Sequence, residues 1–216
     1  MKALRLHRVG SFDGIRWEEV ADPAIGEFDV LVKIHAVSLN YRDYGFIKGT
    51  YSLVRDLPFI LGSDSAGVVV KVGPKVSQFK IGDRVISLLR QYWYGGKLDV
   101  RKAASQLGGS VDGVFSELAA FHEGSVVHAP SHLSFEEAAT LSTAGLTAFR
   151  ILTQSGVTSG QRVLIQGTGS VSLFAIQLAG KMGFQIFATT GQPNNEIILK
   201  ELGAHGVINY KAFPQW

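Results

Sequence analysis

Residues 164–180, LIQGTGSVSLFAIQLAG, place Gly167 and Gly169 two apart, after an apolar run and directly before Ser170 and Val171. Small residues at this spacing suit anion binding. The first glycine permits a tight turn, and the second lets the backbone approach a pyrophosphate closely. The amides of Ser170 and Val171 open a helix whose dipole favours negative charge. Ser172 stands where a third glycine would serve close packing of helix on strand. The Ser170 hydroxyl adds a further donor. The turn alone supports two readings, a dinucleotide site or a strand-to-helix turn built from small residues for packing.

About 20 residues on, an NAD site carries Asp or Glu for the ribose hydroxyls. Here the chain reads ATTGQPNN, with Thr189, Thr190 and Gly191 and no acid before Glu196. Hydroxyls and a glycine leave room for a 2′-phosphate, so NADP(H) is expected in preference to NAD(H). An ordinary polar loop after a strand is the competing reading.

The elements around these residues alternate. QRVLIQ (161–166), GFQIFATT (183–190) and GVINY (206–210) read as strands, separated by helical stretches at 170–182 and 195–204. Val171, Phe174, Ala175, Leu178, Ala179 and Met182 fall on one face of the first helix. Strand–helix alternation predicts a parallel sheet. Three strands are about half of a doubly wound fold, so the expectation is a partial, truncated Rossmann domain over 126–216. Residues 1–125 carry many short strand patterns instead, including KALRLH (2–7), DVLVKIHAVSL (29–39), SAGVVVKVG (65–73), IGDRVISLL (81–89) and VFSELAAF (114–121). SVVHAP (125–130) adds one more, and residues 90–112 interrupt the pattern as a long loop. Close spacing with Gly, Pro and Asp between strands predicts a partly closed barrel or sandwich. Ser134 and Glu137 form a capping-box pattern ahead of Ala-rich helical sequence over 131–152.

Composition narrows the chemistry. The 216 residues are 46% hydrophobic and 18% charged, with a formal net charge of +3. Without a run of like charges, neither nucleic-acid nor membrane-surface binding is expected. Cysteine is absent, which removes thiolate nucleophiles and thiolate metal sites. MKALRLHRVG lacks the apolar core of a signal peptide, and the simplest expectation is a cytoplasmic protein.

In order, AVSLNYRDYGFIKGTY (36–51), PFILGSDSAGVVVKVGPKVSQFKIGDRV (58–85), LSFEEAATLSTAGLTAF (133–149), VLIQGTGSVSLFAIQLAG (163–180) and LGAHGVINY (202–210) resemble the medium-chain dehydrogenase/reductase superfamily. The branch they resemble is the zinc-free one that includes quinone oxidoreductases. The resemblance implies an α/β protein: a GroES-like β-rich domain, 1–125, followed by the Rossmann domain. It also implies that relatives continue past Trp216. Zinc-dependent relatives have ligands where this chain has Asn40, Ser63-Asp64 and Thr143. Asn, Ser and Thr are poor zinc ligands, so no metal is expected, and the six histidines read as packing or solvated residues.

Without zinc, hydrogen-bond donors must polarise a carbonyl. By resemblance Asn40 is the donor, with Tyr44 or Tyr51 as pocket wall or proton donor. Arg42 and Asp43 read as structural residues near a short helix. Thr147 is implied at the nicotinamide end of the cofactor and Tyr210 near the adenosine phosphate. The implied activity is hydride transfer between NADPH and a small-molecule quinone, enone or carbonyl. Two alternatives remain open: a truncated relative that folds without completing its pocket, and a zinc-dependent alcohol dehydrogenase, which the ligand replacements disfavour. Relatives commonly form homodimers through a segment this chain lacks, which leaves the oligomeric state open.

Overall fold

The computed structural model describes residues 1–52 and 55–216. The chain divides into two compact units, Met1–Thr143 and Ala144–Trp216.

In the first unit, β1 (Lys2–Leu6) pairs antiparallel with β2 (Ile15–Glu19) and with β4 (Phe59–Ile60). The larger sheet contains β3 (Asp29–Ser38), β5 (Asp64–Val72), β6 (Arg84–Ser87), β7 (Leu118–His122) and β8 (Val126–His128). Its order is β7-β3-β5-β6-β8, and every neighbouring pair is antiparallel. β3 shows the alternation that a half-buried strand requires, with Val30 and Val32 buried between more exposed neighbours. Leu6, Phe59, Leu61, Val69, Val85 and Val114 fill the core beneath. This is the curled, GroES-like β-rich architecture expected from the sequence.

Two strands were not legible in the sequence. β2, IRWEE, is charged and largely exposed, and β4 has only two residues. The strand expected over 114–121 forms only from Leu118, because Val114 and Phe115 donate their amides to Gly62 O and Leu61 O instead. The long loop over 90–112 contains one short helix, α2 (Val100–Ala103), capped by Asp99.

The Ala-rich segment is not one helix. The Ser134–Glu137 capping box opens α3 (Phe135–Ala139), a π-helical turn covers Leu141–Gly145, and α4 (Leu146–Gln154) follows. The interruption coincides with one local bond and one long-range bond. Thr140 Oγ1 donates to Glu137 O at 2.7 Å, and Thr143 turns its amide to Asp64. Residues 126–143 pack within the first unit. β8 pairs with β6, Phe135 stacks on His35 with ring centroids 4.5 Å apart, and the Arg84 guanidinium lies over the Phe135 ring, 4.5 Å from its centroid. Arg84 also donates to Ser131 O and Leu133 O.

The second unit is a parallel sheet of β9 (Arg162–Ile165), β10 (Gln185–Thr190) and β11 (Gly206–Asn209), in the order β11-β10-β9. α5 (Ser170–Lys181) packs on β9, β10 and α4, while α6 (Asn195–Glu201) packs on β10 and β11. The six apolar positions expected on one face of α5 are only part of its contact. Ile176, outside that set, is fully buried beside Ala175 and Ala179. Helix α5 is enclosed by strands and by another helix, so a single stripe under-describes it.

Candidate functional site

Polar residues at the start of a central strand are costly unless they are paired. β5 begins with Asp64 and Ser65, directly after Ser63, and all three are fully or almost fully buried. Each has a partner. Ser65 N and Oγ both meet Ser87 Oγ, at 3.0 and 3.1 Å. Ser87 Oγ donates to Ser63 O at 3.3 Å. Asp64 Oδ2 accepts the Thr143 amide at 3.1 Å, and Asp64 Oδ1 accepts the Thr143 hydroxyl. Asn40 reaches the same cluster, its Nδ2 lying 3.4 Å from both Ser63 Oγ and Ser38 O. Those two distances are at the long limit for hydrogen bonds, so the Asn40 amide hydrogens are only loosely committed.

Asn40 sits at the N-cap of α1 (Tyr41–Lys48) in an extended conformation. Asp43, in the first turn, accepts the Asn40 amide on Oδ2 at 2.8 Å, and its own amide donates to Asn40 O at 2.9 Å. Burial pushes the Asp43 carboxyl up to about 6, against the lowering influence of the Asn40 amide and of Arg42. Arg42 anchors elsewhere, donating to Leu107 O at 2.8 Å and Gln106 Oε1 at 3.0 Å. It therefore ties α1 to the 106–107 loop, the structural role expected of it.

The two tyrosines occupy different surroundings. Tyr44 is exposed and tilts against Phe12 and Tyr41, with centroids 6.2 and 5.6 Å away. Tyr51 packs edge-on to Phe46 at 5.7 Å. Its ring lies so close to Gly45 that a Cβ there would come within 2.2 Å of Tyr51 Cδ2. Asn40, Tyr44 and Tyr51 thus share one helix and its following turn.

The remaining expected residues belong to the second unit. Gly167 adopts φ +79°, a conformation open to glycine. Gly169 is the extended N-cap of α5 (φ −76°). A Cβ added to either glycine would meet nothing within 4 Å, so the ground in front of the turn is open. The first intrahelical bond of α5 is Leu173 N to Gly169 O, at 3.0 Å. The amides of Ser170, Val171 and Ser172 precede it and face the open end of the helix.

The turn is braced from behind. Gly167 N donates to Thr189 Oγ1 at 3.1 Å. Ser172 Oγ donates to Gln166 O at 2.9 Å, and Asn195 Nδ2 to Thr168 Oγ1 at 3.2 Å. Ser172 therefore replaces the third glycine with a bond that ties the helix to the strand end. Thr189 and Thr190 are almost wholly buried. Thr190 Oγ1 is engaged with Gln192, accepting its amide at 3.0 Å. Their hydroxyls hold backbone in place, and their influence on a ligand passes through Gly167 and the 190–192 turn. Tyr210 follows β11 and donates its amide to Thr190 O at 3.1 Å. Its hydroxyl would stand 2.4 Å from a Cβ on Gly191, so Tyr210 covers the glycine that ends β10. Thr147 lies exposed on α4.

Comparison with known proteins agrees with both halves. Residues 26–131 match the alcohol dehydrogenase GroES-like domain. A zinc-type alcohol dehydrogenase-like protein of Schizosaccharomyces pombe is 42% identical over 213 residues, covering 96% of this chain and 61% of its own length. The quinone oxidoreductase of Homo sapiens is 31% identical over 98% of this chain and 59% of its own. The structure of the quinone oxidoreductase from Coxiella burnetii superposes with a TM-score of 0.83 at 30% identity, covering 98% of this chain and 63% of that one.

The chain belongs to the medium-chain dehydrogenase/reductase superfamily.

Within the superfamily it lies in the quinone-oxidoreductase-like branch. It spans about three fifths of the length of the relatives it matches. The four positions that resemblance assigns to zinc ligation do come together, as the pairs Asn40–Ser63 and Asp64–Thr143. They do not fit the ion. Asp64 is the one carboxylate in the set, and Thr143 occupies both of its oxygens. Among the described residues, no group of three or more His, Cys, Asp or Glu side chains could hold a metal, and no helix is long and apolar enough to cross a membrane. The glycine turn, in contrast, fits a dinucleotide diphosphate: the space is open and the amides are free of helical bonds.

Sequence reasoning missed Phe12 and the bonds made by Ser172 and Asn195. Phe12 approaches Tyr44 from a distant turn, and nothing local marks it. The Ser172–Gln166 and Asn195–Thr168 bonds join residues 6 and 27 apart. The reciprocal Asn40–Asp43 bonds were signalled by the N-x-x-D spacing of a capping box.

Proposed function

We propose that the protein is an NADP(H)-dependent, zinc-independent oxidoreductase acting on a quinone, enone or carbonyl substrate. The observation that carries this reading is the braced, open glycine turn at the start of α5. When bound, the nicotinamide supplies the hydride. Gly167 and Gly169 admit the diphosphate, and the amides of Ser170 and Val171 bind it. The Ser170 hydroxyl adds a donor. Gly191, under Tyr210, ends β10 without a carboxylate. The first acid beyond it, Glu196, is paired with Lys200 at 2.8 Å. An uncharged β10 end accepts a 2′-phosphate without repulsion, which favours NADP(H) over NAD(H). Thr147 is assigned to the nicotinamide end and Tyr210 to the adenosine phosphate.

In the first unit, Asn40 Nδ2 donates to the substrate oxygen as negative charge develops there. Its present contacts at 3.4 Å cost little to exchange. Tyr44 and Tyr51 wall the substrate or supply the proton. The test is NADPH oxidation with a quinone and with an enone, comparing the protein with Asn40→Ala. Turnover that falls roughly 100-fold in the variant, as for loss of one oxyanion donor, supports the reading. Unchanged turnover removes Asn40 from the mechanism.

A further inference from the structure

Asp43 is 4% exposed, yet only one of its two carboxylate oxygens is used. Oδ2 accepts the Asn40 amide at 2.8 Å. Oδ1 is buried and has no hydrogen-bond partner among the described residues. Buried carboxylate oxygens are normally satisfied, and a half-satisfied one calls for an explanation.

The charged neighbours do not supply one. Arg42, the adjacent cation, directs its guanidinium to Leu107 O and Gln106 Oε1 and over the Phe46 ring at 5.2 Å. Asp64, the other buried carboxylate acting on Asp43, repels negative charge there and is itself closed by Thr143. The Asp43 charge therefore faces the α1 N-terminus, which favours it, and burial together with Asp64, which oppose it. A neutral capping residue would hold Asn40 without this cost, so a buried acid at this position has a consequence a neutral cap would lack.

We propose that Asp43 is a positioning residue for Asn40, and that a proton arriving at its free Oδ1 weakens the hold of Oδ2 on the Asn40 backbone and changes how Asn40 presents its side-chain amide beside Ser63. The step is a proton exchange with solvent: Oδ1 gains the proton, Oδ2 loses its charge, and the charge-assisted Asn40 N–H···Oδ2 bond becomes a weaker neutral one. Asn40 is the group assigned to the substrate oxygen, so the proposal rests on that assignment. It adds an acid-side control on the donor. The pH at which it acts follows the burial of Asp43, near 6.

Nuclear magnetic resonance on the 15N-labelled full chain tests this without requiring turnover. The expected result is that the Asn40 backbone and side-chain amide resonances titrate together with a midpoint near pH 6. In Asp43→Asn, which keeps an acceptor oxygen and cannot titrate, the same resonances stay flat. Asp43→Ala moves the Asn40 side-chain signals at every pH. Flat Asn40 resonances in the unmodified protein between pH 4.5 and 8 would overturn the proposal, as would a titration that persists in Asp43→Asn. If Asp43→Ala fails to fold, spectral dispersion collapses throughout, and Asp43→Asn alone still decides. Failure of the underlying assignment looks different. The Asn40 titration would be present, while Asn40→Ala reduces substrate as well as the unmodified protein does.

Discussion

The amide of Gly167 donates to the hydroxyl of Thr189 across 3.1 Å, joining the first residue of the glycine turn to the end of the neighbouring strand. β9 and β10 are parallel neighbours, so the turn after one strand is fixed by a side chain at the end of the next. Thr189 is 2% exposed, so the acceptor is buried, while Gly167 is partly exposed. Thr189→Val keeps the shape and removes the acceptor. Losing a hydrogen bond whose donor is partly open to water costs about 0.5–1.5 kcal/mol, to be read as a lowered denaturation midpoint. NADPH affinity should fall with it, because Gly167 is no longer held at φ +79°.

Asp43→Asn should stabilise the protein at neutral pH. The folded-state carboxyl is raised from 3.8 to about 6, so between those values the folded state binds more protons than the unfolded chain. Stability from this group therefore falls as pH rises from about 4 through 6, and the full penalty stands above that. The shift corresponds to roughly 2–3 kcal/mol. The difference in unfolding free energy between the variant and the unmodified protein should widen across that window and level off by pH 7. A constant difference from pH 4 to pH 8 would show that Asp43 does not titrate there.

Thr143→Val removes both the hydroxyl donor to Asp64 and any small polar character at that position, while leaving the backbone donor. A buried carboxylate deprived of a charge-assisted bond should cost about 1.5–3 kcal/mol. Because the network is closed by hydrogen bonds, a chelator should leave the melting temperature and NADPH binding unchanged, and added zinc should not be taken up stoichiometrically. Metal analysis after dialysis checks this directly.

Gly191→Ala should force Tyr210 away, because a Cβ there would lie 2.4 Å from the hydroxyl and 2.6 Å from Cζ. The tyrosine is partly exposed and can swing out, so the fold should survive. The assigned contact at the adenosine end should weaken. Tyr210→Ala should remove the clash, making the pair of substitutions less damaging to stability than their sum.

What the sequence disclosed, and what it hid, divides along the range of the interactions. The glycine turn, the Ser134–Glu137 box and the strand alternation of 29–38 depend on residues within a few positions of one another, and all three are visible in the chain. The order of a β-rich part followed by a parallel strand–helix part was visible in the change of periodicity along the chain, and the GroES-like character of the first came from the family resemblance. The break between α3 and α4 was hidden because one of the bonds that coincide with it runs to Asp64, 79 residues from Thr143. The burial of Ile176 was hidden because α5 meets α4 as well as the strands. Ser172, read as a small substitute for glycine, forms a specific bond with Gln166 O that composition could not indicate. The expected site residues fall into two local groups, one on α1 and one around the α5 turn.

Gly169→Ala is the most direct test of the central claim. A Cβ at Gly169 meets no atom within 4 Å, and its φ of −76° suits any residue. The substitution should therefore lower stability only by the roughly 1 kcal/mol by which Ala is a poorer N-cap than Gly. It would, however, place a methyl group where the diphosphate must approach. Titration with NADPH, followed by thermal denaturation, should stabilise the unmodified protein by about 2.7 kcal/mol at a hundredfold excess over Kd and leave Gly169→Ala where it was. Equal stabilisation of both proteins, or of neither, would contradict a dinucleotide site at this turn.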